Sequence, residues 1–268
     1  MSARLQQWLH PQTPEQPALS ATERRGLWIE ITIVLLITFG FNGLSSLLGL
    51  IDSLLQQGTL AEQTVALNVP RATNSFIDLA RQILGVVKLL SWGALGLYLL
   101  WRSGIGPKAI GLSRRLTRTD ATHGAGFAVL IGVPGLAFYL ATHAIGANLT
   151  VAPSILNDHW WRIPALVAWS IANSGAEEII VVAYLITRLR QLGWSENSSL
   201  LASALLRGAY HLYQGFGGGI GNVVMGVVFA RYWQKTNRLW PLIVAHALID
   251  IVAFVGYALL RDRISWIP

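Results

Sequence analysis

Two adjacent carboxylates, Glu177 and Glu178, stand inside a stretch that otherwise reads as a transmembrane helix. From Ile163 to Leu189 (IPALVAWSIANSGAEEIIVVAYLITRL) there is no other acidic residue, and no basic residue comes before Arg188. A carboxylate near the centre of a bilayer costs on the order of 2.5–3.5 kcal/mol on insertion scales. Such residues face a bundle interior or a water-filled cavity, and they mark functional sites. A glutamate beside imidazoles in a low-dielectric pocket suits activation of water, with the carboxylate taking the proton and a ring orienting the water or shuttling its proton.

Three later segments supply further polar groups inside apolar surroundings. SSLLASALLRGAYHLYQG carries Arg207 and His211, WPLIVAHALIDIVAFVGYALL carries His246 and Asp250, and the segment between them opens with Asn222. Residues four apart lie one above the other on a helix face. Arg207 and His211 are so spaced, as are His246 and Asp250, and each pair joins an imidazole to a charged partner. Adjacent helical residues diverge by about 100°, so Glu177 and Glu178 are not expected to aim at one atom. One is left for chemistry and the other for a structural partner. Ser174 and Ser203 are expected to bond to their own backbone or to pack at helix contacts, which leaves direct attack by water as the simpler scheme.

The order of these groups, EE, then a segment with a late His, then HxxxD, resembles the CAAX-protease and bacteriocin-processing family of glutamate-dependent intramembrane endopeptidases, the type II CAAX prenyl proteases among them. The resemblance covers about residues 170–255. It implies that Glu177 is the base that activates water, that His211 orients the water, that His246 and Asp250 stand where the family stabilises the oxyanion, and that Glu178 is an auxiliary carboxylate. Three positions depart from the family pattern EExxxR, FxxxH, HxxxN: Val182 replaces Arg, Arg207 replaces Phe and Asp250 replaces Asn. The first two departures look linked, and Arg207 is expected to partner Glu178 across the helix interface. An ionised Asp250 would repel an oxyanion, whereas Asn can donate to it. Asp250 is therefore expected either to be protonated or to orient His246, with His246 and Asn222 as the remaining donors.

These groups need helices to carry them. The chain has 268 residues, 53% hydrophobic and 12% charged, with a mean hydropathy of +0.49. That is about half the charge of a soluble domain, and it predicts an all-α, polytopic membrane bundle of about seven to eight transmembrane helices. Seven spans are expected near 27–51, 83–101, 124–145, 163–187, 198–213, 222–233 and 239–260, with a half-inserted eighth segment as an alternative. The organisation reads as a polar tail at 1–26, N-terminal spans over 27–162, the catalytic helices over 163–260 and a C-terminal tail at 261–268. Gly215–Gly221 is expected to form a tight membrane hairpin, and the tryptophans at 92, 101, 160, 161, 194, 233 and 240 to form an interfacial belt. Lys88 is expected to snorkel to the interface, and His10, His123, His143 and His159 are given no role.

The net charge of +7 comes from basic residues clustered between apolar runs, a topology signal rather than a nucleic-acid signal. Arg102, Lys108, Arg114, Arg115 and Arg118 fill one loop, Arg188 and Arg190 a second, and Arg231, Lys235 and Arg238 a third. A cytoplasmic N-terminus puts all three in the cytoplasm, with Arg261 and Arg263 dissenting, and the location expected is the cell membrane. The absence of cysteine excludes disulfide and thiolate chemistry. No cofactor or metal is expected, and the expected partners are the bilayer and a membrane-anchored or hydrophobic peptide substrate. A non-catalytic scaffold and, further off, a metal-dependent hydrolase are the alternatives. No HExxH occurs, and no internal repeat of the transporter type is seen.

Overall fold

The computed structural model describes residues 6, 8–9, 11–14, 17–112 and 115–261. Arg114 and most of the C-terminal tail, Arg263 included, lie outside the described residues, as does His10. The chain is an all-α bundle with one small sheet. Its elements are α1 (Ala21–Ile37), α2 (Phe39–Leu55), β1 (Thr64–Asn68), α3 (Ser75–Arg102), α4 (Arg118–Ala144), β2 (Thr150–Ser154), α5 (Arg162–Glu177), a π-helical segment (Glu178–Tyr184), α6 (Leu185–Gln191), α7 (Glu196–Ala209), α8 (Phe216–Thr236) and α9 (Trp240–Leu260).

Helix starts follow from local chemistry. Ser20 and Glu23 make a capping box on α1, Asn74 caps α3, Thr117 and Asp120 make a second box on α4, and Ser195 caps α7. Each satisfies amides that a helix start leaves without partners. Among the described residues, four helical stretches are long and apolar enough to cross a membrane: α3, α4, the continuous run Arg162–Gln191, and α9. The α1–α2 pair makes a fifth if its bent halves count as one span.

The expected first span is therefore not one straight helix. Its halves meet at 52° around Thr38, whose hydroxyl bonds back to the Val34 carbonyl at 2.6 Å. Such back-bonding bends helices, and the bend turns Phe39 inward against Trp92 and Tyr210. The segment expected at 198–213 forms a helix of 14 residues, α7, about 21 Å long against a hydrocarbon core of about 30 Å. The glycine run is not a hairpin throughout. The turn is confined to Gly215, with φ +105°, and Phe216 to Gly221 are the first turns of α8.

Helix α7 packs on α8, α9 packs on α4 and α5, and α3 packs on α5. The outer face of α4 exposes Val129, Leu130, Val133 and Leu136, while Asp120 and Gly124 are buried. Polar groups inside and apolar groups outside suit lipid rather than water. Of the tryptophans expected in a belt, Trp161 and Trp233 are instead interior, donating to Ser75 and to the Ile110 carbonyl.

The connections sort to two ends. The basic loops meet at one: Arg238 pairs with Asp120, Leu239 bonds to the Gly111 carbonyl, and Arg190 stacks on Trp233. The N-terminal segment docks there too, where Asn197 donates to the Leu9 carbonyl and Thr13 accepts from the Glu196 amide. At the other end β1 and β2 pair in parallel, Thr64 opposite Thr150 and Asn68 opposite Ser154. Arg261, the dissenter in the charge pattern, donates to the Ser154 carbonyl at this end.

Candidate active site

The paired glutamates sit where α5 gives way to the π-helical segment, in the middle of the run Arg162–Gln191. The wider winding of a π segment shifts successive side chains from their α-helical directions, and such segments recur at functional sites. Glu178 is fully buried, and Glu177 nearly so.

Arg207, on α7, faces both. Its Nη2 donates to Glu178 Oε1 at 2.6 Å, and its Nη1 donates to Glu177 Oε2 at 3.3 Å. The expected partnership with Glu178 is present, and the two carboxylates reach different nitrogens of one guanidinium. The planar fork of arginine is what permits this. Arg207 is itself fully buried, lies over the Phe229 ring and packs its Cδ against Gly226.

His246, on α9, closes the other side. Its Nδ1 lies 2.9 Å from Glu178 Oε1, and its Nε2 lies 4.0 Å from Glu177 Oε2 and 3.7 Å from Asp250 Oδ1. The expected pairing of His246 and Asp250 on one face holds. Asp250 also accepts from the Asn173 amide at 3.2 Å, and the same amide donates to Glu177 Oε1 at 3.0 Å. Tyr210 donates its hydroxyl to Glu177 Oε2 at 2.6 Å. Both oxygens of Glu177 are thus engaged, whereas Oε2 of Glu178 has no hydrogen-bond partner among the described residues.

His211 departs from its expected placement. Helix α7 ends at Ala209, so His211 lies in the following turn and shares no helix face with Arg207. Its Nδ1 sits 2.9 Å from the Arg207 carbonyl. A carbonyl only accepts, so Nδ1 carries the proton and Nε2 of the neutral ring is the acceptor. The ring lies 4.7 Å, centroid to centroid, from that of Tyr210, whose hydroxyl bonds Glu177. Asn222 donates to the Gly218 carbonyl of its own helix at 3.0 Å, and no contact joins it to the carboxylates among the described residues.

Asn173 and Tyr210 were not anticipated. Asn173 precedes Glu177 by four residues, so the spacing argument used for the two histidines would have found it. Ser203 donates to the Val181 carbonyl and Ser174 to that of Ile171, as expected of hydroxyls in membrane helices. Among the described residues no cluster of His, Asp and Glu is arranged to hold a metal ion. Arg207 occupies the position on which the two glutamates converge.

Residues 159–252 match the family model described as Type II CAAX prenyl endopeptidase Rce1-like. No curated protein matches the chain, and no solved structure does. The match contains every group in the cluster, so residues 159–252 are similar to that family, and the apolar helices make the chain an integral membrane protein.

Proposed function

We propose that this Rce1-like domain is an intramembrane endopeptidase that hydrolyses a peptide bond of a membrane-associated protein or peptide, with Glu177 as the base that activates water. The observation that carries this reading is the convergence of Glu177, Arg207, His246 and Asp250, from three separate helices, on one buried point in mid-bundle.

Water bound between Glu177 and His211 would give its proton to the carboxylate while its oxygen attacks the scissile carbonyl carbon. Nε2 of His211 is the acceptor that orients this water. Asn173, Tyr210 and Arg207 hold Glu177 in one rotamer, so the base is in place before substrate arrives. As the carbonyl becomes a tetrahedral oxyanion, His246 in its imidazolium form donates from Nε2. Its Nδ1–H is fixed on Glu178. Asp250 supports the imidazolium at Nε2 and is itself held by Asn173, which fits an orienting partner better than a direct oxyanion donor. The proton on Glu177 then passes to the leaving amine as the C–N bond breaks.

The scaffold reading has one observation in its favour. Both oxygens of Glu177 are already satisfied, as they would be in a purely structural network. Cells carrying wild type or Glu177→Gln at matched protein levels separate the two. Mass spectrometry of membrane peptides should find termini that are present with wild type and lost with the variant. Identical termini, with both proteins folded, would leave the scaffold.

A further inference from the structure

The small sheet has one closed edge and one open edge. Thr150 donates its N–H to the Gln63 carbonyl, and the register pairs Thr64 with Thr150 and Ala66 with Ala152. In a parallel ladder this points the amides and carbonyls of residues 63 and 65 at β2, and those of Thr64 and Ala66 away from it. On the outer edge of β2, Val151 gives its N–H to the Tyr139 hydroxyl. Pro153 has no N–H to offer there, and its carbonyl accepts from the side-chain amide of Asn68 on β1. On the outer edge of β1, the amides and carbonyls of Thr64 and Ala66 have no partner among the described residues. Unpaired strand edges are templates for another strand.

This open edge borders a cavity of about 440 Å³ between β1 and α2, lined by Ser53 and Gln56 at the end of α2, by Thr64 and Val65 of β1, and by Tyr213. Gln63 ties the two walls together by donating to the Ser53 carbonyl. The cavity reaches the turn that follows α7, through Tyr213. Tyr213 lies in the same turn as His211, and the two rings stack with centroids 6.2 Å apart. The lead-in to β2 is bonded to that turn, Leu149 N–H to the Gln214 carbonyl and Phe216 N–H to the Ala147 carbonyl.

We propose that β1 is the substrate cradle: an extended peptide segment pairs with the outer edge at Thr64 and Ala66, lies in the cavity against α2, and passes over Tyr213 to Glu177. The proposal rests on the endopeptidase reading and names how that enzyme would hold its substrate. Backbone groups spaced along a strand edge are matched by another extended chain, and such pairing tolerates many side chains. The substrate then enters at the end of the bundle opposite the basic loops.

The test uses the full-length protein in detergent micelles, with fluorescein-labelled casein as an unfolded probe. Ala66→Pro removes one outward N–H that the β1–β2 ladder does not use. It should raise KM for casein about threefold or more with kcat held, the scale of one lost hydrogen bond. In a Glu177→Gln background, a benzoylphenylalanine photocrosslinker at position 64 should capture casein, and Ala66→Pro should weaken that capture. If wild type cleaves casein through Glu177 but KM is unchanged and no crosslink forms, the cradle is wrong and the endopeptidase reading stands. Capture without cleavage would keep the cradle and sink the hydrolase. Neither capture nor cleavage overturns both. Should Ala66→Pro melt below wild type, Thr64→Pro, at the first residue of the strand, carries the same readouts.

Discussion

Arg207 does more than balance charge, because its fork joins two carboxylates that leave the chain in different directions. Removing one member of a buried ion pair leaves an uncompensated charge and costs about 3–5 kcal/mol. Arg207→Ala strands Glu178, whose remaining partner is His246, so its thermal unfolding in detergent should fall well below that of an ordinary surface variant. Arg207→Lys should recover only part of the loss, since a point ammonium cannot reach both carboxylates in the same geometry. A wild-type melting curve for Arg207→Ala would mean that the pair contributes nothing to the fold. This partnership was legible in the sequence because a charge inside a span is conspicuous, and one missing from a helix and present on its neighbour more so. Asn173 and Tyr210 were not conspicuous. A neutral amide or phenol in an apolar run raises no alarm, although burial makes its hydrogen bond as necessary as a salt bridge. His211 was placed on a helix because spacing alone does not reveal that the helix stops two residues earlier.

The elements set how near these groups come. Helix α7 carries Arg207 and reaches the site because small residues let α8 lie close beside it. A Cβ added at Gly226 would stand 2.9 Å from the Ala204 Cα, and one at Gly208 would stand 2.8 Å from the Gly219 carbonyl oxygen. Backbone cannot step aside as a side chain can, so Gly226→Ala should cost about 1–3 kcal/mol of stability through overpacking, and should lower activity by moving Arg207. Gly126 on α4 has open space where its Cβ would be, so Gly126→Ala is the control and should melt at or slightly above wild type. Equal melting of both variants would remove the packing argument. Hydropathy reported where the long helices run, since an apolar stretch is nearly sufficient to specify one in a bilayer. It carried no sign of the bend at Thr38, of the π-helical winding after Glu177 or of the two strands. The bend and the winding are local hydrogen-bond choices that leave composition unchanged. A five-residue parallel strand is stabilised by a partner distant in the chain, so β1 read only as polar loop.

At the scale of the molecule, the two ends differ in charge and in construction. The basic loops, with the N-terminal segment docked among them, occupy one end; the sheet, the open cavity and the dissenting Arg261 occupy the other. The grouping follows from contacts in the structure and is independent of any rule about membranes. Applying the rule that short basic loops stay in the cytoplasm turns the grouping into an orientation, with the sheet facing out. The chain offers a clean way to check this, because it has no cysteine of its own. Gln57 and Lys108 are both exposed and lie at opposite ends, after α2 and after α3. In intact cells a membrane-impermeant maleimide should label Gln57→Cys, and Lys108→Cys should react only once the membrane is opened. The reverse pattern would invert the orientation and bring the β1 cavity into the cytoplasm. The internal geometry would survive that inversion, because Glu177 is held by contacts within the bundle, but the compartment from which a peptide reaches it would change.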